Sequence, residues 1–201
     1  MKRALDHLRQ RDEVLGAVID RVGPYKISYR EPTFPALARS IVFQQLNGRA
    51  AATIFERFEK ACGKAGVTPQ GVLGVRPAKL RAAGLSQQKS DYIRDLARKT
   101  RDGEVDFDAL PTLADDAVIG QLTKVKGVGV WTVHMFLIFA LRRQDVLPVG
   151  DYGVRTAMRN LYGLGELPKP AEMERIAAPW RPWASVASWY LWRSLDGEAE
   201  L

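Results

Sequence analysis

Cysteine is nearly absent from this chain. Cys62 stands alone among 201 residues. A single thiol excludes an intramolecular disulfide, a four-cysteine iron–sulfur cluster and a cysteine-based structural zinc site. Histidine is almost as scarce, and His7 and His134 are too few and too far apart for a usual zinc site. Long apolar runs are missing too. The longest, Val128 to Leu141, is interrupted by Thr132 and His134 and is too short to span a bilayer. The opening M-K-R-A-L-D-H-L-R-Q-R-D-E lacks the apolar core of a signal peptide. Alternating apolar–polar runs are rare, and there is no repeat, heptad array or low-complexity linker. These absences point to a strand-poor protein with the cytoplasm as its expected location.

What is present is an apolar share of 46% and an excess of base over acid, 30 Lys and Arg against 23 Asp and Glu, for a net charge of +7. The first allows a sizeable core. The second is the balance often found in proteins that bind a polyanion. Nearly every segment carries helical spacing. Val14, Leu15, Val18, Ile19 and Val22 lie on one face of a helix over 12–22, which Gly23-Pro24 stops. Tyr25 to Tyr29 alternates like a short extended piece. A helix over 34–44 is expected with Thr33 as its cap and Pro35 in its first turn, and a second over 49–62 turns Ala52, Ile54, Phe55 and Phe58 inward. Thr68-Pro69 and Arg76-Pro77 begin two short helices. Ser86 caps a longer one over 87–101 with Tyr92, Ile93, Leu96 and Ala97 inward. Further helices are expected over 115–122, 130–141, 151–161, 170–178 and 183–195.

The expected class is therefore all-α, a compact two-lobed bundle of about ten helices with a cleft between the lobes. The chain reads as one domain over 1–201. Its lobes are expected at roughly 34–122 and at 1–33 plus 123–201.

The densest signal lies between Leu122 and Asp151. Lys126-Gly127-Val128-Gly129 joins two of these helices. Glycine permits positive φ and close approach of the backbone to a ligand. The next helix presents free N–H groups and a partial positive charge. Such a turn grips a nucleic-acid phosphate without reading sequence, with Lys124 and Lys126 adding charge. Asp151 follows about twenty residues later, behind Leu147-Pro148-Val149-Gly150, at the start of a helix that favours its ionised form. Alone, Asp151 is an ordinary helix cap. Behind a phosphate-gripping turn, it is also a carboxylate placed to stabilise positive charge developing on a sugar.

The pattern L-x-x-V-x-G-V-G-V-W-T, followed by the Gly/Pro loop and an aspartate, resembles the helix-hairpin-helix superfamily of base-excision DNA glycosylases. Within it, the chain is most similar to the 3-methyladenine DNA glycosylase II family. The resemblance runs over about 34–195 and rests on four stretches: Ser40 to Ala51, the hairpin with Trp131, Pro148 to Arg155, and Pro179-Trp180-Arg181-Pro182-Trp183 with Ala187 and Trp192. It implies that Asp151 is the catalytic carboxylate. It implies a base pocket walled by Trp131 and Trp192, with Met135 where some relatives carry a tyrosine one turn after the tryptophan. Gln45, or else Leu46, becomes the wedge that fills the gap of a flipped base. DNA-backbone contacts fall to Lys126, Gly127, Val128, Gly129, Thr132, Gln44, Asn47 and Arg155, although Arg155 could pair with Asp151 instead. The carbonyls of Thr123, Val125 and Val128 match positions that hold a monovalent cation in some relatives; no other cofactor is implied.

Position 131 separates two chemistries. Bifunctional members of the superfamily carry a lysine there, and this chain has Trp131. The implied activity is thus hydrolytic removal of N-alkylated bases of the 3-methyladenine and 7-methylguanine type from duplex DNA. The implied protein is a monomer that works where the DNA is, at the nucleoid in a bacterial cell. With about 30 residues ahead of the matching region, the N-terminal β-rich domain of some relatives is expected to be missing. Met135 implies a more open pocket that also admits N1-methyladenine or N3-methylcytosine. The competing reading is a non-enzymatic helix-hairpin-helix module, which accounts for charge and hairpin but not for Asp151 and the tryptophans.

Overall fold

The structure, a computed structural model, describes residues 1–46 and 48–196. Among these the architecture is all-helical, with twelve α-helices, three short 3₁₀ turns and no strand. None of these helices is long and apolar enough to cross a membrane. The elements divide into two compact units, Met1–Tyr29 with Leu137–Leu201, and Arg30–Phe136.

The first unit contains α1 (Lys2–Arg11), α2 (Glu13–Val22), α10 (Tyr152–Leu161), α11 (Pro170–Ala177) and α12 (Ala184–Ser194). Helix α1 was not expected, because its residues carry little apolar pattern. Ala4 and Leu8, one turn apart and fully buried, suffice to seat it on α2. Asp12 makes the corner between them. Its Oδ1 caps α2 by accepting the Leu15 N–H at 2.9 Å, and its Oδ2 accepts from Tyr162 Oη at 2.6 Å and Trp180 Nε1 at 2.7 Å. One carboxylate thus ties the chain start to elements about 150 residues away in sequence. The core gathers Leu15, Val18, Ile19, Val154, Met158, Met173, Trp180 and Tyr190. Tyr25 to Tyr29 forms no strand. Tyr25 instead packs edge-on against Trp189 at 4.9 Å, so its alternation reflects aromatic packing on α12.

The second unit holds α3 (Phe34–Phe43), α4 (Gly48–Cys62), α5 (Pro69–Gly74), α6 (Pro77–Ala82), α7 (Gln87–Arg101), α8 (Asp115–Leu122) and the first turns of α9 (Val130–Phe139). Ser86 caps α7 as expected, accepting from Lys89 N at 3.2 Å. On α4 the buried positions are Ala51, Phe58 and Cys62, whereas Ala52, Ile54 and Phe55 are half-buried. Burial pushes the Cys62 thiol up to about 11, which fits a packing residue. Helix α9 ends at Phe139, short of Leu141, and Arg142 takes a left-handed φ of 58° in the turn that follows.

Candidate active site

Asp151 caps α10. Its backbone is extended at φ −79° and ψ 122°, the usual geometry of a residue just before a helix. The loop ahead of it closes through Asp151 N–H to the Pro148 carbonyl at 2.8 Å. The residue is buried to 8% exposure. Two donors converge on Oδ1: the Val154 N–H at 2.8 Å and the Trp192 indole Nε1 at 2.8 Å. A carboxylate held by a backbone amide and an indole keeps one orientation.

Trp192 lies on α12 and stacks on Phe139 with ring centroids 5.6 Å apart and planes at 27°. That stack and the hydrogen bond together fix the indole. Gly153 makes the approach of Trp192 to Asp151 possible. A Cβ there would lie 3.1 Å from Trp192 Cδ1 and 3.2 Å from Asp151 Oδ1. Asp151, Gly153, Trp192 and Phe139 are thus brought together within the first unit. Arg155, one turn on, donates from Nε to the Pro168 carbonyl at 3.1 Å and anchors the loop before α11.

The hairpin belongs to the second unit. Val128 N–H bonds to the Val125 carbonyl at 3.0 Å and closes the turn. Gly127 has φ 78°, and a Cβ there would fall inside the Tyr92 ring, so glycine is required on both counts. Gly129 is different. A Cβ there would meet nothing within 4 Å, and the open side is available to a ligand. Lys126 and Gly129 are exposed, whereas Val128 and Thr132 are buried, so any phosphate contact by the latter two is through their backbone. Trp131 is 43% exposed and Met135 is half-buried, both on α9.

Gln44, Gln45 and Leu46 form the turn after α3. Gln44 reaches across to the hairpin, donating from Nε2 to the Gly127 carbonyl at 2.9 Å. Gln45 takes φ 56°, one of two left-handed non-glycine residues among the described ones, and its side chain is exposed. Leu46 is 39% exposed. A strained backbone under two exposed side chains is the form of a projecting tip held by its surroundings. Asn47 lies outside the described residues. Thr123, Val125 and Val128 sit around the same turn as the hairpin. Among the described residues no cluster of three His, Cys, Asp or Glu side chains suits a metal.

Three groups that hold this machinery were not anticipated from sequence. Asp95 is buried on α7 and accepts the Lys126 N–H through Oδ2 at 3.0 Å. Lys89 donates to the carbonyls of Val42 and Gln44. The Trp192 bond to Asp151 makes an indole into a positioning group. An acid among Ile93, Leu96 and Ala97 on an inward face was the one readable sign for Asp95.

The family model for HhH-GPD superfamily base excision DNA repair proteins matches residues 38–182. DNA-3-methyladenine glycosylase 1 of Schizosaccharomyces pombe is 32% identical over 200 residues, covering 96% of this chain and 87% of its own length. The solved structure of the S. pombe 3-methyladenine DNA glycosylase with abasic DNA superposes with a TM-score of 0.85, covering 96% of each chain at 32% identity. A DNA-3-methyladenine glycosidase structure from Bacillus halodurans gives the same TM-score at 36% identity, covering 96% of this chain and 89% of that one.

Proposed function

Because the chain belongs to the helix-hairpin-helix superfamily of base excision DNA repair proteins, we propose that it is a monofunctional DNA glycosylase that flips N-alkylated bases out of duplex DNA and hydrolyses them away, leaving an abasic site. The observation that carries this reading is the buried Asp151 carboxylate, fixed by Val154 and Trp192.

An N3- or N7-alkylated purine is already cationic. When its bond to C1′ breaks, the electron pair leaves with the base and neutralises it, so no strong general acid is needed. Positive charge moves to the deoxyribose. Asp151 stabilises that charge, water adds to C1′, and the water's proton passes to Asp151 or to solvent. Trp131 stands where a lyase would carry its amine, so no Schiff base forms with the sugar. Its indole, 43% exposed, would offer cation–π stacking to an electron-poor base. Met135 leaves more room than a tyrosine would.

Gln45 or Leu46 fills the vacated stack. The hairpin amides, Lys126 and the Gln44 turn hold the backbone, with the protein acting as a monomer in the compartment that contains the DNA. A monovalent cation at the Thr123, Val125 and Val128 carbonyls belongs to the same proposal. The Val125 oxygen, which accepts from Val128 N–H, keeps a second lone pair, and main-chain carbonyls suit such an ion. When bound, the ion would add positive charge beside the phosphate grip.

Two experiments test this reading. Gly153→Ala should barely move the melting temperature, because the gain of about 1 kcal/mol in helix propensity offsets the tight contact. It should slow base release by about tenfold, because it displaces Trp192 and the carboxylate together. A variant as fast as wild type would show that this contact does not matter. In a panel of single-lesion duplexes, 3-methyladenine, 7-methylguanine and N1-methyladenine should all leave faster than background. Background rates for N1-methyladenine alone would remove the open-pocket part of the proposal. Background rates for every lesion would remove the activity.

A further inference from the structure

Helix α7 carries three side chains at three-residue spacing, Lys89, Tyr92 and Asp95, and all three point at the DNA-handling elements of their unit. Asp95 holds the hairpin amide of Lys126 at 3.0 Å. The Tyr92 ring occupies the space over Gly127 that a Cβ would need, and its hydroxyl is held in turn by Gln88 Nε2 at 2.6 Å. Lys89 reaches the other element. Its Nζ donates to the carbonyl of Val42 at 2.7 Å and to that of Gln44 at 2.6 Å.

Those two carbonyls are at the C-terminal end of α3, where helix geometry leaves oxygens without intrahelical partners and the dipole is negative. An ammonium there is a strong cap. The Gln44 carbonyl also belongs to the peptide that leads directly into Gln45, the residue with φ 56°. A left-handed non-glycine residue is strained and persists only when its surroundings over-determine it. Lys89 supplies one restraint from beneath, and the Gln44 side-chain bond to the Gly127 carbonyl supplies another. Partial burial lowers the pKa of Lys89, as expected for an amine held under a turn and not extended into solvent.

We propose that Lys89 is a positioning residue for base flipping: its two bonds to the end of α3 hold the Gln45–Leu46 tip rigid enough to enter the stack, in fixed register with the hairpin that grips the backbone. The inference rests on the glycosylase reading and concerns the flipping step alone. A loosened tip makes extrusion of a stacked, paired base harder. It leaves the chemistry on a base already outside the stack unaffected.

The test compares excision of 3-methyladenine from a fully paired duplex with excision of the same lesion from a one-nucleotide bulge. Wild type, Lys89→Met, Lys89→Gln and Lys89→Arg are measured at a temperature where circular dichroism shows all to be folded. Lys89→Met should lose about tenfold on the paired duplex, the size expected for a charge-assisted bond pair. It should stay within about twofold on the bulge, where unstacking is already done. Lys89→Gln should fall between, and Lys89→Arg should recover most of the paired-to-bulged ratio. Equal losses on both substrates, or no loss on either, overturn the proposal. If Lys89→Met does not fold, the Gln and Arg variants carry the same ratio test. A wild-type protein that releases no base from either substrate would instead overturn the glycosylase reading itself, and this inference with it.

Discussion

Asp151→Asn should lower base release by about 10³-fold, the scale for removing a charge-stabilising group from a preorganised site. The substitution is conservative in structure. An asparagine Oδ1 can still accept from Val154 N–H and from the Trp192 indole, so the cap of α10 and the position of the indole survive. What disappears is the negative charge opposite the developing cation. Affinity for abasic DNA should therefore stay within about twofold, because backbone contacts elsewhere set it. Single-turnover base release beside a binding titration measures both. A module that only binds DNA would release no base with either residue. A variant that releases base at the wild-type rate would remove Asp151 from the chemistry.

The two hairpin glycines should respond differently to the same methyl group. Gly127→Ala places Cβ inside the Tyr92 ring at a φ of 78°. Left-handed strain costs about 1–2 kcal/mol, and overpacking typically adds about 1–3 kcal/mol. The turn that Asp95 and Gln44 hold must then shift, so stability and DNA affinity should fall together. At Gly129 the Cβ meets nothing within 4 Å. Gly129→Ala should leave the melting temperature within a degree or two, about the scale of a neutral surface change. It should still weaken DNA binding, because the methyl group projects where a phosphate approaches. Melting curves and salt-controlled titrations of both variants check this. A Gly129→Ala protein that binds as tightly as wild type would move the phosphate contact elsewhere.

The sequence was most readable where structure is local. The cap at Ser86, the Gly127–Gly129 turn and the placement of Asp151 at a helix start all depend on neighbours within a few residues, although Thr33, expected to cap α3, stands at its N-cap without a side-chain capping bond. The groups that make the site rigid do not. Asp95 meets Lys126 across 31 positions, Trp192 meets Asp151 across 41, and Lys89 meets Gln44 across 45. No periodicity encodes such pairs, because each depends on how helices pack after they form. Arg155 shows the same gap from the other side. Its spacing from Asp151 left pairing or a phosphate contact open, and the fold gives its Nε to the Pro168 carbonyl. Trp192 was readable as an aromatic near the site. Only the geometry of Gly153 and Phe139 shows why its edge, and not only its face, matters.

Hydrolysis should cut the glycosidic bond and leave the strand whole. It is tested most directly by analysing the products from one duplex containing a single 3-methyladenine, with and without borohydride. Attack by water should give free 3-methyladenine, a full-length strand that breaks only after alkali, and no protein–DNA adduct. A strand nicked without alkali, or a borohydride-trapped adduct, would contradict it and show that an amine, not water, attacks the sugar.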